Sequence, residues 1–258
     1  MKRRFMFYII ISLGILFSLS LAMNVDAAKR TTGLYPDLQT VVPDHLQLVN
    51  EHQREILRFS NGIANTGDGD WRLRPDFQLT VTKAIQEILD VNGNIVYEQQ
   101  VSAFEFHPEH NHWHLADIAL FEVHKDSSTG PVVGTNSIKV TFCLIDWYKL
   151  VGNSPTTDRT YFECERSYQG ISPGWVDQYH QSTEGQQLDL TGAPMGTYYL
   201  VSTANPDGIY LEKDLKNNTA WTSFKLTRDS NGTPKIEIIG NSDCILGSGL
   251  CGENSPNR

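Results

Sequence analysis

The chain has 258 residues, 40% hydrophobic and 20% charged, enough apolar content for a packed core and too much for global disorder. Its formal net charge is −9, which argues against nucleic-acid binding and suits a cationic partner. The length fits one large β-rich domain or two small ones.

Lys2, Arg3 and Arg4 precede an apolar run from residue 5 to 22, and small residues follow up to Ala27. This is the pattern of a secretory signal over 1–27, cleaved after Ala27; an uncleaved anchor is the alternative reading. Removing those residues takes away a net +2 and leaves −11. No other stretch approaches membrane-spanning length, so no membrane association is expected after cleavage. The domain is expected over 28–245, with a polar tail over 246–258.

Tyr35-Pro36-Asp37-Leu38 opens the domain. Residues 55–65 alternate as a strand, and 66–70 (TGDGD) is a turn. Residues 77–91 and 95–101 read as strands flanking Asn92-Gly93, a hairpin signal. The segment 107–117, HPEHNHWHLAD, is read as a strand running on into 115–124. A turn at 127–131 leads to a strand over 137–145, with Ile138, Val140, Phe142 and Leu144 on one face and Lys139, Thr141 and Cys143 on the other. Residues 146–178 are irregular, and such a long loop is often functional. Residues 188–190, 197–203, 220–227 and 235–239 are further strands. Short strands between turns, with no amphipathic helix, define an all-β fold: a single β-sandwich-like domain with long irregular loops.

Cys143, Cys164, Cys244 and Cys251 form an even set in an exported chain, which implies two disulfides. Three pairings exist; Cys143–Cys164 and Cys244–Cys251 are favoured because each closes a modest loop.

Four of the chain's eight histidines lie within 107–114. On a strand, His110, His112 and His114 project from one face, and three neutral imidazoles on one face are a metal site. Spacing alone leaves zinc and copper open. No nucleotide loop, HExxH or GxSxG motif is present.

Taken together, these segments resemble the catalytic domain of the lysyl oxidase family, copper amine oxidases acting on peptidyl lysine. The likeness rests on YPDL (35–38), ILRF (56–59), HPEHNHWHLAD (107–117), KVTFCL (139–144), GISPGWVDQY (170–179), DLTGAPMGTYYL (189–200) and EKDLKNN (212–218). The resemblance implies copper on His110, His112 and His114, with His107 close by as a further or variable ligand. It implies a lysyl tyrosylquinone cofactor made from Lys139 and Tyr179, dioxygen as oxidant, and a primary-amine or lysine-containing protein substrate. Asp117 is a candidate general base, or an acceptor that orients a ligand imidazole. Asp37, the Leu38 carbonyl, Glu212, Asp214, Asn217 and Asn218 match a family calcium site. The animal enzymes carry a cysteine within the histidine segment where Glu109 stands here. The short signal and minimal domain look like a compact bacterial-type member. A three-histidine zinc hydrolase and a non-catalytic copper- or calcium-binding module are the competing readings.

Overall fold

A computed structural model of the chain describes residues 32–78, 81–108, 111–151, 158–165 and 167–252, with the backbone alone over 134–139. The signal expected over 1–27 and the predicted ligand His110 lie outside the described residues. No helix among the described residues is long and apolar enough to cross a membrane.

Every named element is a strand. In chain order they are β1 (Leu38–Thr40), β2 (Asp44–Glu51), β3 (Arg54–Asn65), β4 (Trp71–Phe77) and β5 (Thr82–Leu89). Then follow β6 (Ile95–His107), β7 (His112–Lys125), β8 (Val132–Phe142), β9 (Tyr148–Lys149) and β10 (Gln169–Ile171). The last are β11 (Trp175–Tyr179), β12 (Gln187–Asp189), β13 (Gly196–Ala204), β14 (Thr219–Arg228) and β15 (Pro234–Asn241). They form two antiparallel sheets, as the all-β sandwich reading requires. One runs β1-β3-β11-β9, with β2 and β12 also on β3; the other runs β10-β4-β5-β6-β7-β13-β14-β15, with β8 on β7.

The core lies between the sheets. Leu57, Phe59 and Ile63 of β3 meet Leu115, Phe121 and Val123 of β7 and Tyr198 and Leu200 of β13. Phe59 and Phe121 join the sheets edge-on, with ring centroids 4.8 Å apart. Each such side chain, fully buried, contributes roughly 1.5–3 kcal/mol. Val140, Phe142 and Leu144 are buried together on β8 and just beyond it, as their alternation predicts.

Two of the expected strands break. Residues 77–91 are not one strand: β4 ends at Phe77 and pairs back on β5, Phe77 opposite Thr82. The Asn92-Gly93 hairpin is real, but its loop is wider than two residues. Asp90 Oδ1 accepts from the amides of Asn92 and Asn94, both at 2.9 Å, and Gly93 takes φ +80°, where glycine costs least. The second break falls within 107–117, where the candidate site lies.

Among its described residues, the irregular stretch 146–178 contains the short strands β9 and β10 and most of β11. Fully buried Asp146 holds part of it in place. Its carboxylate accepts from the amides of Thr160 (2.8 Å), Tyr161 (3.2 Å) and Ser172 (2.7 Å), and from the Ser172 hydroxyl (2.8 Å). Both favoured disulfides, Cys143–Cys164 and Cys244–Cys251, are present. Beyond Cys244, Leu250 O accepts from Val42 N at 2.9 Å and Ser248 O from Val151 N at 2.9 Å.

Candidate functional site

The segment HPEHNHWH is a hairpin, not one strand. β6 ends at His107, β7 begins at His112, and these two residues face each other in the register. The reversal falls where Pro108 offers no amide to a ladder and Asn111 takes φ +55°, a left-handed conformation that Asn tolerates. Among the described residues, alternation aligns His112 and His114, two residues apart on β7. The fold brings in His107 from the facing strand. Its ring stacks on His114 with centroids 4.0 Å apart and planes at 25°, and its Nε2 lies 3.5 Å from Thr141 Oγ1.

His112 and His114 turn their Nε2 atoms toward each other at 2.8 Å. Two lone pairs at that distance repel, so either a proton or a cation lies between them. Two metal–imidazole bonds of about 2.0 Å at a right angle span about 2.8 Å, and at a tetrahedral angle about 3.3 Å. The distance fits a shared proton, and it is also short enough for both nitrogens to reach one ion. Among the described residues no three His, Cys, Asp or Glu gather as a metal site; His110 lies outside them.

The backbone between the two histidines is held from the side opposite β6. There β7 and β8 part company after Leu115 pairs with Phe142, and other groups replace the missing ladder. Trp113 N donates to Cys164 O at 2.9 Å. Trp113 O accepts from Gln169 Nε2 at 2.7 Å, and Gln169 Oε1 accepts from Leu144 N at 3.1 Å. Gln169 is fully buried. Sequence reading missed it, because its partners lie far away in the chain and nothing local marks it.

Tyr179 ends β11 in the other sheet. Its hydroxyl donates a short hydrogen bond to the carbonyl of Cys143, and its ring stacks on Phe142 with centroids 3.7 Å apart and planes at 15°. The disulfide partner of Cys143 is Cys164, which holds Trp113. The tyrosine and the histidine strand are thus tied to one covalent link. The backbone of Lys139 lies on β8 opposite Leu120, three residues before Phe142; its side chain lies outside the described residues.

Asp117 sits in the bulge of β7 between Leu115 and Ala119, at φ +57°. Its charge adds to the burial that pushes the Tyr210 phenol above its usual range. The described residues give Asp117 no hydrogen bond to a ligand imidazole.

Four of the six candidate calcium residues, Asp37, Glu212, Asn217 and Asn218, contact one another in pairs, and Leu38 reaches them through its amide rather than its carbonyl. Glu212 Oε2 accepts from Leu38 N at 2.8 Å, and Oε1 accepts from Asn218 Nδ2 at 2.8 Å and Asn205 Nδ2 at 2.5 Å. Asp37 accepts from Asn217 Nδ2 at 3.2 Å and from Thr66 Oγ1 at 2.8 Å. The Oδ1 atoms of Asn217 and Asn218 are buried without a hydrogen-bond partner among the described residues. Burial pushes the Glu212 carboxyl up, its amide partners oppose this, and Asp37 adds to the rise. Orphaned amide oxygens beside two carboxylates fit a hard cation. Asp214 differs: exposed, it accepts from Lys216 N at 2.9 Å and closes its own turn.

Comparison with known proteins gives the same direction. The family model described as lysyl oxidase matches residues 79–233, more than half of the chain. Lysyl oxidase homolog 1 of Bos taurus is 31% identical over 136 residues, 53% of this chain and 22% of that protein. Protein-lysine 6-oxidase of Sus scrofa is 30% identical over 128 residues, 48% of each. Lysyl oxidase homolog 2 of Rattus norvegicus is 27% identical over 166 residues, 64% of this chain and 17% of that protein. The chain thus spans half or less of the length of these curated relatives. Asp37 and Leu38 precede the matched span, whereas the histidine hairpin, Lys139, Tyr179 and Glu212 lie within it.

Proposed function

The chain belongs to the lysyl oxidase family, and on that premise we propose that it is a secreted copper amine oxidase. Its reaction is the oxidative deamination of primary amines, peptidyl lysine or small amines, to aldehydes. The observation that carries the reading is the pair of Nε2 atoms 2.8 Å apart on His112 and His114, in a family-matched span that also holds Lys139 and Tyr179.

His112, His114 and His110 would hold copper, with His107 fixing the plane of the His114 ring. When present, copper would activate dioxygen, and a lysyl tyrosylquinone built from Lys139 and Tyr179 would accept the amine's electrons, with ammonia and hydrogen peroxide as further products. The protein's part is positional. The Cys143 carbonyl fixes the Tyr179 oxygen, Phe142 fixes the ring plane, and Cys164 and Gln169 fix the strand between the histidines. Lys139 must lose its ammonium proton before its nitrogen can add to an electrophile. The base that takes the substrate's carbon-bound proton has to reach the Tyr179 ring. Asp117, in the bulge of β7 just past the histidine strand, is the candidate for that role, with orientation of a ligand imidazole as its alternative task.

Calcium belongs to the same reading, with Asp37, Glu212, Asn217 and Asn218 as the inner set and the Leu38 carbonyl and Asp214 as outer candidates. It would tie the start of the domain to the loop before β14, a structural task. Export rests on the signal pattern over 1–27, which leaves 28–245 as the catalytic domain and 246–258 as its tail.

A visible spectrum of copper-loaded, aerated protein, before and after phenylhydrazine, tests the reading. The expected result is a carbonyl-reactive chromophore that is missing in Tyr179→Phe and in Lys139→Met although both still bind copper. A spectrum with copper bands alone, at verified copper loading, would favour the non-catalytic metal-binding module. Full turnover in either variant would remove the quinone from the proposal.

A further inference from the structure

Gln186 stands at the entry to β12 and is fully buried. Neither its amide nitrogen nor its amide oxygen has a hydrogen-bond partner among the described residues. A buried amide with no bond made is costly. Its backbone is well held: Gln186 N donates to Thr183 O at 3.2 Å, and Gln186 O accepts from Phe59 N at 3.3 Å. The side chain is therefore delivered to its place by the strand entry and not by contacts of the amide itself.

Gln186 lines a cavity of about 10 Å³ together with Tyr179, Phe142, Asn61 and Asp177. That is room for roughly one oxygen-sized atom. The phenol of Tyr179 is already engaged by the Cys143 carbonyl, so the tyrosine as it stands makes no use of Gln186.

We infer that Gln186 is a binding residue for the finished cofactor: its amide donates to the oxygen atom that the Tyr179 ring gains on oxidation, and the cavity is the space for that atom. This rests on the proposed function. In the conversion, a ring C–H beside the phenol carbon is replaced by a C–O bond. One dioxygen takes four electrons from the ring. One of its atoms stays on the ring, and the other leaves as water with the ring hydrogen and the phenolic hydrogen, which gives an ortho-quinone. The Lys139 amine then adds to a second ring carbon, its C–N bond replacing a C–H, and a second dioxygen takes the two electrons and two protons released and leaves as hydrogen peroxide. The oxygen so placed is a carbonyl acceptor, and the carboxamide NH₂ of Gln186 is the donor it lacks.

The test compares the full chain with Gln186→Met, and with Gln186→Leu as a second apolar replacement, in copper-free and in copper-loaded, aerated form. Copper-free, the variants melt at the same temperature as the parent or higher, since no hydrogen bond is lost. Loaded, they form the phenylhydrazine-reactive chromophore about tenfold more slowly. In resonance Raman the carbonyl stretch of what does form moves to higher frequency. Variants that melt lower when copper-free and yet form an identical chromophore at the parental rate would make Gln186 purely structural. A cavity that merely holds water predicts an unshifted carbonyl stretch, which would also overturn the inference. Either result leaves the oxidase reading intact. A parent chain that forms no chromophore at verified copper loading overturns both.

Discussion

His107 and His114 come from different strands of one hairpin and stack with ring centroids 4.0 Å apart and planes 25° from parallel. In that position His107 restricts the rotation of the His114 ring, whose Nε2 faces His112. Groups that orient a ligand typically change metal affinity by about 10–100-fold. Copper titration against a competing chelator should show a weakening of that size for His107→Ala. His112→Ala and His114→Ala should lose far more. Equal losses in all three would make His107 a ligand in its own right, and no loss would make the stack incidental.

Asn217 and Asn218 hold buried Oδ1 atoms, without a hydrogen-bond partner among the described residues, beside Asp37 and Glu212. A cation bound there stabilises only the folded state. Free calcium at a hundredfold its dissociation constant then adds about 2.7 kcal/mol. The melting temperature should rise with calcium and fall back with chelator, and Glu212→Gln and Asn218→Ala should lose most of the rise. Asp214→Asn should keep most of it, because Asp214 is exposed and engaged with Lys216 N. A melting temperature indifferent to calcium would empty the site.

Asp70 accepts from the Tyr161 hydroxyl at 2.9 Å. Burial pushes its carboxyl up from 3.8, the Tyr161 bond opposes that, Asp146 adds to it and Arg72 opposes it. The folded state therefore holds this proton more tightly than the unfolded chain does. Its contribution to stability is full below about pH 3.8 and is lost as pH rises through the raised value. Asp70→Asn keeps an acceptor for Tyr161 and removes the charge. It should melt a few degrees higher than the parent at pH 7, with the gap closing toward pH 3. A gap that stays constant with pH would assign the effect to packing instead.

Alternation and turn signals along the chain located the strands that became β3, β8, β13, β14 and β15; the cause is plainest in β13, where Tyr198, Leu200 and Ser202 turn one face into the core. Alternation could not find the reversal that sets His107 opposite His112. His112 and His114 satisfy the same alternation whether His107 precedes them on one strand or faces them across a hairpin. The turn between β2 and β3 was also missed. It is made by His52 and Gln53, both at positive φ, without the Asn-Gly or Asp-Gly that usually announces such a turn. The cysteine pairs were legible from loop size. The Gln169 bridge and the Asp146 hub were not, since each joins residues that only the folded chain brings together.

The Cys143–Cys164 disulfide, closing a separation of 21 residues, has two consequences that separate experimentally. Cross-linking a loop of that size restricts the unfolded chain by about 3 kcal/mol, so the Cys143→Ala/Cys164→Ala variant should melt well below the parent. The second consequence is local. Cys143 O receives the Tyr179 hydroxyl and Cys164 O receives Trp113 N, so both tethers loosen together when the bond is gone. At a temperature where the variant is still folded by near-ultraviolet circular dichroism, it should bind copper more weakly and form chromophore more slowly than the parent. Removal of Cys244–Cys251, whose partners lie elsewhere, should leave both readouts unchanged. If the two disulfide variants lost copper affinity alike, the local coupling would fail and only general stabilisation would remain.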